Sequence, residues 1–146
     1  MGGHAWWYLV PYEKDVAQSL GALRQREFAA GRYNPAESFP SFPVDLKHAP
    51  GSKHSSIDEA LEDADADGTR SILDVSRISA TPDYDAVAPL DEDELMEFFG
   101  TTQPTAEEVE DCEDLFDQIE RGQGVYVIVY EKEKPSQIFF AGYSYD

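Results

Sequence analysis

The chain is short of cysteine, of basic residues and of long apolar runs, and each shortage removes a class of protein. One cysteine, Cys112, among 146 residues leaves no internal disulfide framework and no cysteine-based zinc cluster. No stretch approaches the roughly 18 apolar residues of a membrane span. The first residues show neither a basic n-region nor a continuous apolar h-region, so no secretory leader is read. Met1-Gly2 is not followed by the Ser/Thr of a myristoylation motif. Glycine forms no phosphate-binding loop: Gly122-Gln123-Gly124 lies between an expected helix and an expected strand, the reverse of the dinucleotide arrangement. The cytoplasm is the expected compartment, and no cofactor is expected.

Base is the scarcest of the charged types, 11 Lys+Arg against 30 Asp+Glu, for a net charge of -19. The imbalance is local. Between Asp58 and Glu120 stand 22 acids and two bases, Arg70 and Arg77, whereas the flanks hold 9 bases and 8 acids and are nearly neutral. Such a segment repels nucleic-acid backbones and anionic membrane surfaces, so neither is expected as a partner. A field concentrated in one part of a small domain favours a basic partner instead. High charge alone can signal disorder, but disordered chains are poor in aromatics. Here aromatics make up 12% of residues and gather at both ends, which argues for a folded chain. One domain over 1–146 is expected.

Ala5–Val10 reads as a strand closed by Pro11, apolar on both faces and therefore expected in the sheet interior. Val16, Leu20, Leu23 and Phe28 recur at helical spacing over about Glu13–Ala30, with Gly31 as the stop. Residues 31–55 hold four prolines and no sustained period, a long loop in which Phe39 and Phe42 either anchor to the body or face a partner. Ser56 with Glu59 predicts a capped helix to about Ala66, and the alternation over Arg70–Ile78 predicts a strand. The stretch 79–90 reads as loop. Asp91 with Glu94 starts a helix ending at Gly100, and Thr105 with Glu108 starts another. Val109, Cys112, Phe116 and Ile119 give that last helix one stripe through about Glu120. Val125–Tyr130 and Ile138–Tyr145 form a hairpin with a charged tip. The order β-α-α-β-α-α-β-β predicts an α+β domain: a largely antiparallel sheet of about four strands, with helices mainly on one face.

Asp63, Asp65 and Asp67, followed by Gly68, Ser71 and Asp74, match a calcium loop at positions 1, 3, 5, 6, 9 and 12. A hard cation needs several oxygens converging on one turn, which this spacing supplies. Position 12 is Asp rather than Glu, and the loop runs toward a strand instead of a helix. An acidic helix end with an Asp-Gly turn is the simpler reading. His4, His48 and His54 have no regular element fixing their spacing, and Ser52, Ser55 and Ser56 lie in no nucleophile-elbow context. Cys112 falls on the apolar stripe and reads as core. Tyr126, Tyr130, Tyr143 and Tyr145, with Trp6 and Tyr8, read as sheet core.

Acids crowd the expected helix after Thr105, and carboxylates three or four positions apart repel by a few tenths of a kcal/mol per pair. A stability cost of that kind is retained for solvation or for a partner. The first expectation is a non-enzymatic protein whose acidic face engages a basic protein by charge complementarity, as an inhibitor, an immunity-type antidote or a nucleic-acid mimic. Its contact residues would be Asp91, Glu92, Asp93, Glu94, Glu107, Glu110, Asp111, Glu113, Asp114 and Asp117, with Phe39 and Phe42 on the loop. The second is a ligand-binding or catalytic domain whose pocket lies between the aromatic sheet and the 31–55 loop, served by an acid or by His48 or His54.

Overall fold

The computed structural model describes residues 3–145. Five strands form one sheet: β1 (Ala5–Pro11), β2 (Arg77–Ile78), β3 (Ala86–Pro89), β4 (Gly124–Glu131) and β5 (Lys134–Tyr143), in the spatial order β1-β5-β4-β3-β2. β1, β5 and β4 are antiparallel neighbours, while β4–β3 and β3–β2 are parallel. The α+β class therefore fits, but the sheet is mixed and has five strands, not four largely antiparallel ones. β3 lay hidden in the stretch 79–90 because Ala-Val-Ala-Pro is short and ends in proline; Val87, Ala88 and Pro89 pair with β4, beginning at Val87 opposite Gly124.

Helices cover both faces, which corrects the one-face expectation. Even-numbered residues of β1 and β5 (Trp6, Tyr8, Val10, Ile138, Phe140) join one core with Leu20, Leu23, Ala60 and Leu73. Val127, Val129, Phe139 and Ala141 join a second core with Val109 and Leu115. α1 (Val16–Ala30) and α2 (Ile57–Asp63) supply the first layer; α3 (Glu92–Phe99), α4 (Ala106–Glu110) and α5 (Glu113–Asp117) supply the second. β1 is apolar on both sides because both faces are roofed, yet it stands at the sheet edge rather than in its interior. An edge position also suits Pro11, which has no N–H for a second ladder.

Local chemistry sets the element ends. Asp15 caps α1 by accepting from Gln18 N, and Gly31 ends it in a left-handed conformation at φ 78°. Ser56 caps α2, but the carboxylate of Glu59 reaches back to the Ser55 hydroxyl and backbone N–H rather than closing the box on Ser56. The capping boxes of Asp91 with Glu94 and Thr105 with Glu108 are both complete.

Two elements depart from the sequence pattern. Arg70–Ile78 is not one strand: Ile72–Asp74 is a 3-10 turn, and only Arg77–Ile78 pairs. Ser71 Oγ accepts from Leu73 N and Asp74 Oδ1 from Thr69 N, so side chains capture backbone groups that a strand would need. The expected helix from Thr105 to Glu120 breaks at Asp111–Cys112 into α4 and α5. A continuous helix would set its later acids against the negative end of its dipole. The break places Glu113 and Asp114 in the first turn of a new helix, where carboxylates are favoured. Among the described residues no helix is long and apolar enough to cross a membrane.

Candidate functional site

The roof of α3, α4 and α5 carries most of the acids named from the sequence. Glu107, Glu108, Glu110, Asp111, Glu113, Asp114 and Asp117 are all exposed, because Val109, Leu115 and Phe116 take the inward positions. Between α3 and the α4–α5 pair lies an open groove of about 600 Å³. Its lining is Phe98, Phe99 and Cys112 together with Glu107, Glu108, Asp111, Glu113 and Asp114. Five carboxylates thus meet two half-buried aromatic rings, with no basic side chain among the lining residues.

The other predicted acids sit differently. Asp91 and Glu94 spend an oxygen each on the α3 capping box, Glu94 N to Asp91 Oδ1 at 2.8 Å and Asp91 N to Glu94 Oε1 at 3.0 Å. Glu92 and Asp93 are exposed on the first turn. Glu110 lines a smaller apolar hollow with Trp7, Phe116 and Phe139. Phe98 and Phe99 were not singled out by sequence; their signal was an aromatic pair closing a helix whose first turn is acidic.

The 31–55 segment is folded onto the body. Phe42 packs on Trp7 and Tyr8, with ring centroids 5.5 Å and 5.3 Å away. Phe39 stays 66% exposed, with the Arg70 guanidinium 4.5 Å from its ring centre. Tyr33 is fully buried, and its hydroxyl meets Ser52 Oγ at 2.9 Å and His54 Nδ1 at 2.7 Å. This segment closes a cavity of about 330 Å³ whose walls include Glu27, Arg32, Glu37, Phe42 and His48. Glu27 and Arg32 are spent on each other, and the His48 ring contacts the Glu37 carboxylate.

The calcium spacing does not become a calcium loop. Asp63 turns to His54 Nε2 at 2.9 Å, Asp67 stands 4.0 Å from Arg70, and Asp74 points inward onto Thr69. Among the described residues no three His, Cys, Asp or Glu side chains gather as a metal site. The 3-10 turn is the reason: once Thr69 and Ser71 bond Asp74 and the local backbone, the chain cannot wrap its oxygens around a common centre.

Asp74 instead shares a cavity of about 470 Å³ with Asp65, Asp85 and Tyr145. Burial pushes its carboxyl up to about 6, opposed by hydrogen bonds from Thr69 and the Arg70 backbone and reinforced by the charge of Asp85. Tyr145 donates to Asp85 Oδ1 at 3.0 Å; burial, and then that bond, raise its hydroxyl to about 12. Asp85 and Tyr145 are far apart in sequence and belong to no motif, so only the fold reveals the cluster. No protein-family model, no curated protein and no solved structure matches this chain.

Proposed function

We propose that the α3–α5 face binds a basic protein, in the manner of an inhibitor, an immunity-type antidote or a nucleic-acid mimic, within the cytoplasm. The observation that carries this reading is the groove of about 600 Å³ in which Phe98 and Phe99 lie among five carboxylates. Aromatic rings offer contact area for the stem of a lysine or arginine, and the surrounding acids offer charge for its head. Exposed carboxylates at this density raise encounter rates with a basic surface and exclude acidic competitors. Phe39 stands ready as a second contact, whereas Phe42 is used to hold the loop.

The test is affinity isolation from the source cell at low and high salt, followed by kinetics on the captured protein. Its association rate is expected to fall steeply between about 0.05 and 0.5 M salt, and the triple variant Glu107→Gln, Asp111→Asn, Asp114→Asn to lose at least tenfold in affinity. An association rate indifferent to salt, or a triple variant that binds like the parent, removes the proposal.

The loop-covered cavity of about 330 Å³ favours a second reading, binding of a small ligand beside the paired Glu37 and His48. It is the weaker one, since the two buried charged groups in that wall, Glu27 and Arg32, already satisfy each other.

A further inference from the structure

Charge draws basic proteins to an acidic face but does not choose among them. Beside that face lies a feature that can. Between β1 and the α4–α5 pair is a hollow of about 240 Å³, walled by Ala5, Trp7 and Phe116 with the fully buried Phe139 beneath them. Ala5, Trp7 and Phe116 are each partly exposed, so their apolar surface is open to contact. The walls are also fixed in place. Trp7 is held between Phe42 and Phe116, with ring centroids 5.5 Å and 5.7 Å away, and Phe116 meets Tyr143 edge-on at 6.1 Å. A site ordered in advance spares its ligand the cost of ordering it.

The border of the hollow has a different chemistry. Glu110 and Glu113 stand there exposed, and no basic side chain is among the lining residues. Cys112 and Glu113 line both this hollow and the groove of about 600 Å³ beside α3. The two depressions therefore adjoin, and one partner can reach into both.

Size and charge narrow the occupant. At about 240 Å³ the hollow is smaller than the roughly 300–1,000 Å³ of small-molecule sites, and suits a single large side chain. A second copy of the chain would bring another net charge of -19 against an acidic border, which opposes self-association. A basic protein meets both conditions if it carries an apolar residue between its positive ones. We propose that the hollow receives one apolar anchor side chain of the basic partner, flanked on that partner by arginine or lysine that face Glu110, Glu113 and the adjoining groove. This inference rests on the reading of the α3–α5 face as the site of a basic partner, and names the element by which that partner is selected. The division of labour is general: anchors buried in ordered pockets dominate binding energy, while charges at the edge govern encounter.

The test is an NMR titration at about 0.05 M salt with two peptides of equal charge, acetyl-Arg-Arg-Phe-Arg-Arg-amide and acetyl-Arg-Arg-Ser-Arg-Arg-amide. The phenylalanine peptide is expected to bind at least tenfold more tightly. It alone should shift the Trp7 indole N–H and the amides of Ala5 and Phe116 saturably, while the indole of the fully buried Trp6 stays still as an internal reference. Phe116→Ala removes a wall and should cut the preference to below about threefold, leaving the serine peptide within twofold of its parent affinity. Ala5→Leu fills the hollow from the edge strand and should do the same; it keeps the test open if Phe116→Ala fails to fold. Equal affinity of the two peptides, with shifts on α4 and α5, overturns the anchor and leaves the basic-partner reading standing. A phenylalanine preference that survives Ala5→Leu, or that leaves Trp7 unmoved, also overturns the anchor. No saturable binding of either peptide at roughly 5 mM removes both readings.

Discussion

Trp6 faces Gly142 across the β1–β5 ladder, and its indole occupies the space that any side chain at 142 would need. A Cβ on Gly142 would lie 2.3 Å from Trp6 Cζ2 and 2.6 Å from the Gln123 carbonyl oxygen. Gly124, paired with Gly142 on β4, meets the same ring, its own Cβ falling 2.9 Å from Trp6 Cη2. Two aligned glycines thus clear a shelf for a fully buried tryptophan. Gly142→Ala is expected to cost about 3 kcal/mol, near the upper end for overpacking, because a backbone oxygen as well as the ring must move. Urea unfolding reads the loss. Trp6→Phe combined with Gly142→Ala should cost less than the two single changes added together, and strict additivity would show that the ring is not the obstacle.

The charge pair that closes α1 supports a second prediction. Glu27 is fully buried, and Arg32, just beyond the helix stop, grips it with Nε to Oε1 at 2.8 Å and Nη2 to Oε2 at 2.6 Å. Arg26 adds a bond from its half-exposed side chain, and Arg32 Nη1 ties down the His48 carbonyl at 2.8 Å. Removing one member strands a buried charge, so Arg32→Met should destabilise by about 3 kcal/mol. Glu27→Gln with Arg32→Met should recover part of that loss. A single variant within about 0.5 kcal/mol of the parent would mean that Arg26 alone satisfies the carboxylate.

Legibility in the sequence followed how local each determinant was. The stop at Gly31 and the two capping boxes depend on residues within a few positions of one another and are where the pattern puts them; the terminal hairpin is present too, but its turn is only Lys132-Glu133, so β5 starts at Lys134 instead of Ile138 and ends at Tyr143. β3 could not be read, because Ala86–Pro89 becomes a strand only when β4 arrives beside it. The two-sided roof was half legible: β1 is apolar on both faces, but nothing local says which helix goes to which face. The apolar stripe through Cys112 predicted one helix, where the chain forms two, α4 and α5, that both point apolar residues into the same core. Of the acidic residues, exposure followed from the stripe; the meeting of Glu107 and Asp114 with Phe98 required the tertiary fold. The Asp74, Asp85 and Tyr145 cluster left no local trace.

The hairpin turn offers a stabilising change. Lys132 and Glu133 link β4 to β5, and both hold positive φ, 52° and 66°. That is the backbone of a two-residue type I′ turn, for which Asn-Gly is the favoured pair. Lys132→Asn with Glu133→Gly should therefore raise stability by about 1 kcal/mol, seen as a higher thermal midpoint. Since the change removes one positive and one negative charge, the net charge stays the same and electrostatics do not confuse the comparison. A lowered midpoint would mean that the two long side chains contribute more at the tip than the turn conformation costs.

Asp74 gives the fold a pH dependence of a particular sign. Its carboxyl rises from the ordinary 3.8 to about 6 in the folded chain, first because it is buried and then because Asp85 adds negative charge. The folded protein therefore holds this proton more tightly than the unfolded chain does. Between about pH 4 and pH 6 the unfolded state releases it first, so this group's contribution to stability falls as pH rises through that window and levels off above it. The shift corresponds to about 3 kcal/mol at most. Asp74→Asn keeps an oxygen for the Thr69 donors but cannot ionise. Relative to that variant, the parent should lose about 2 to 3 kcal/mol between pH 4 and pH 7 in urea titrations. Taking the difference cancels the many exposed carboxylates, which titrate in both proteins. Parallel curves across the window would show that Asp74 reaches solvent or a donor readily enough to ionise without cost.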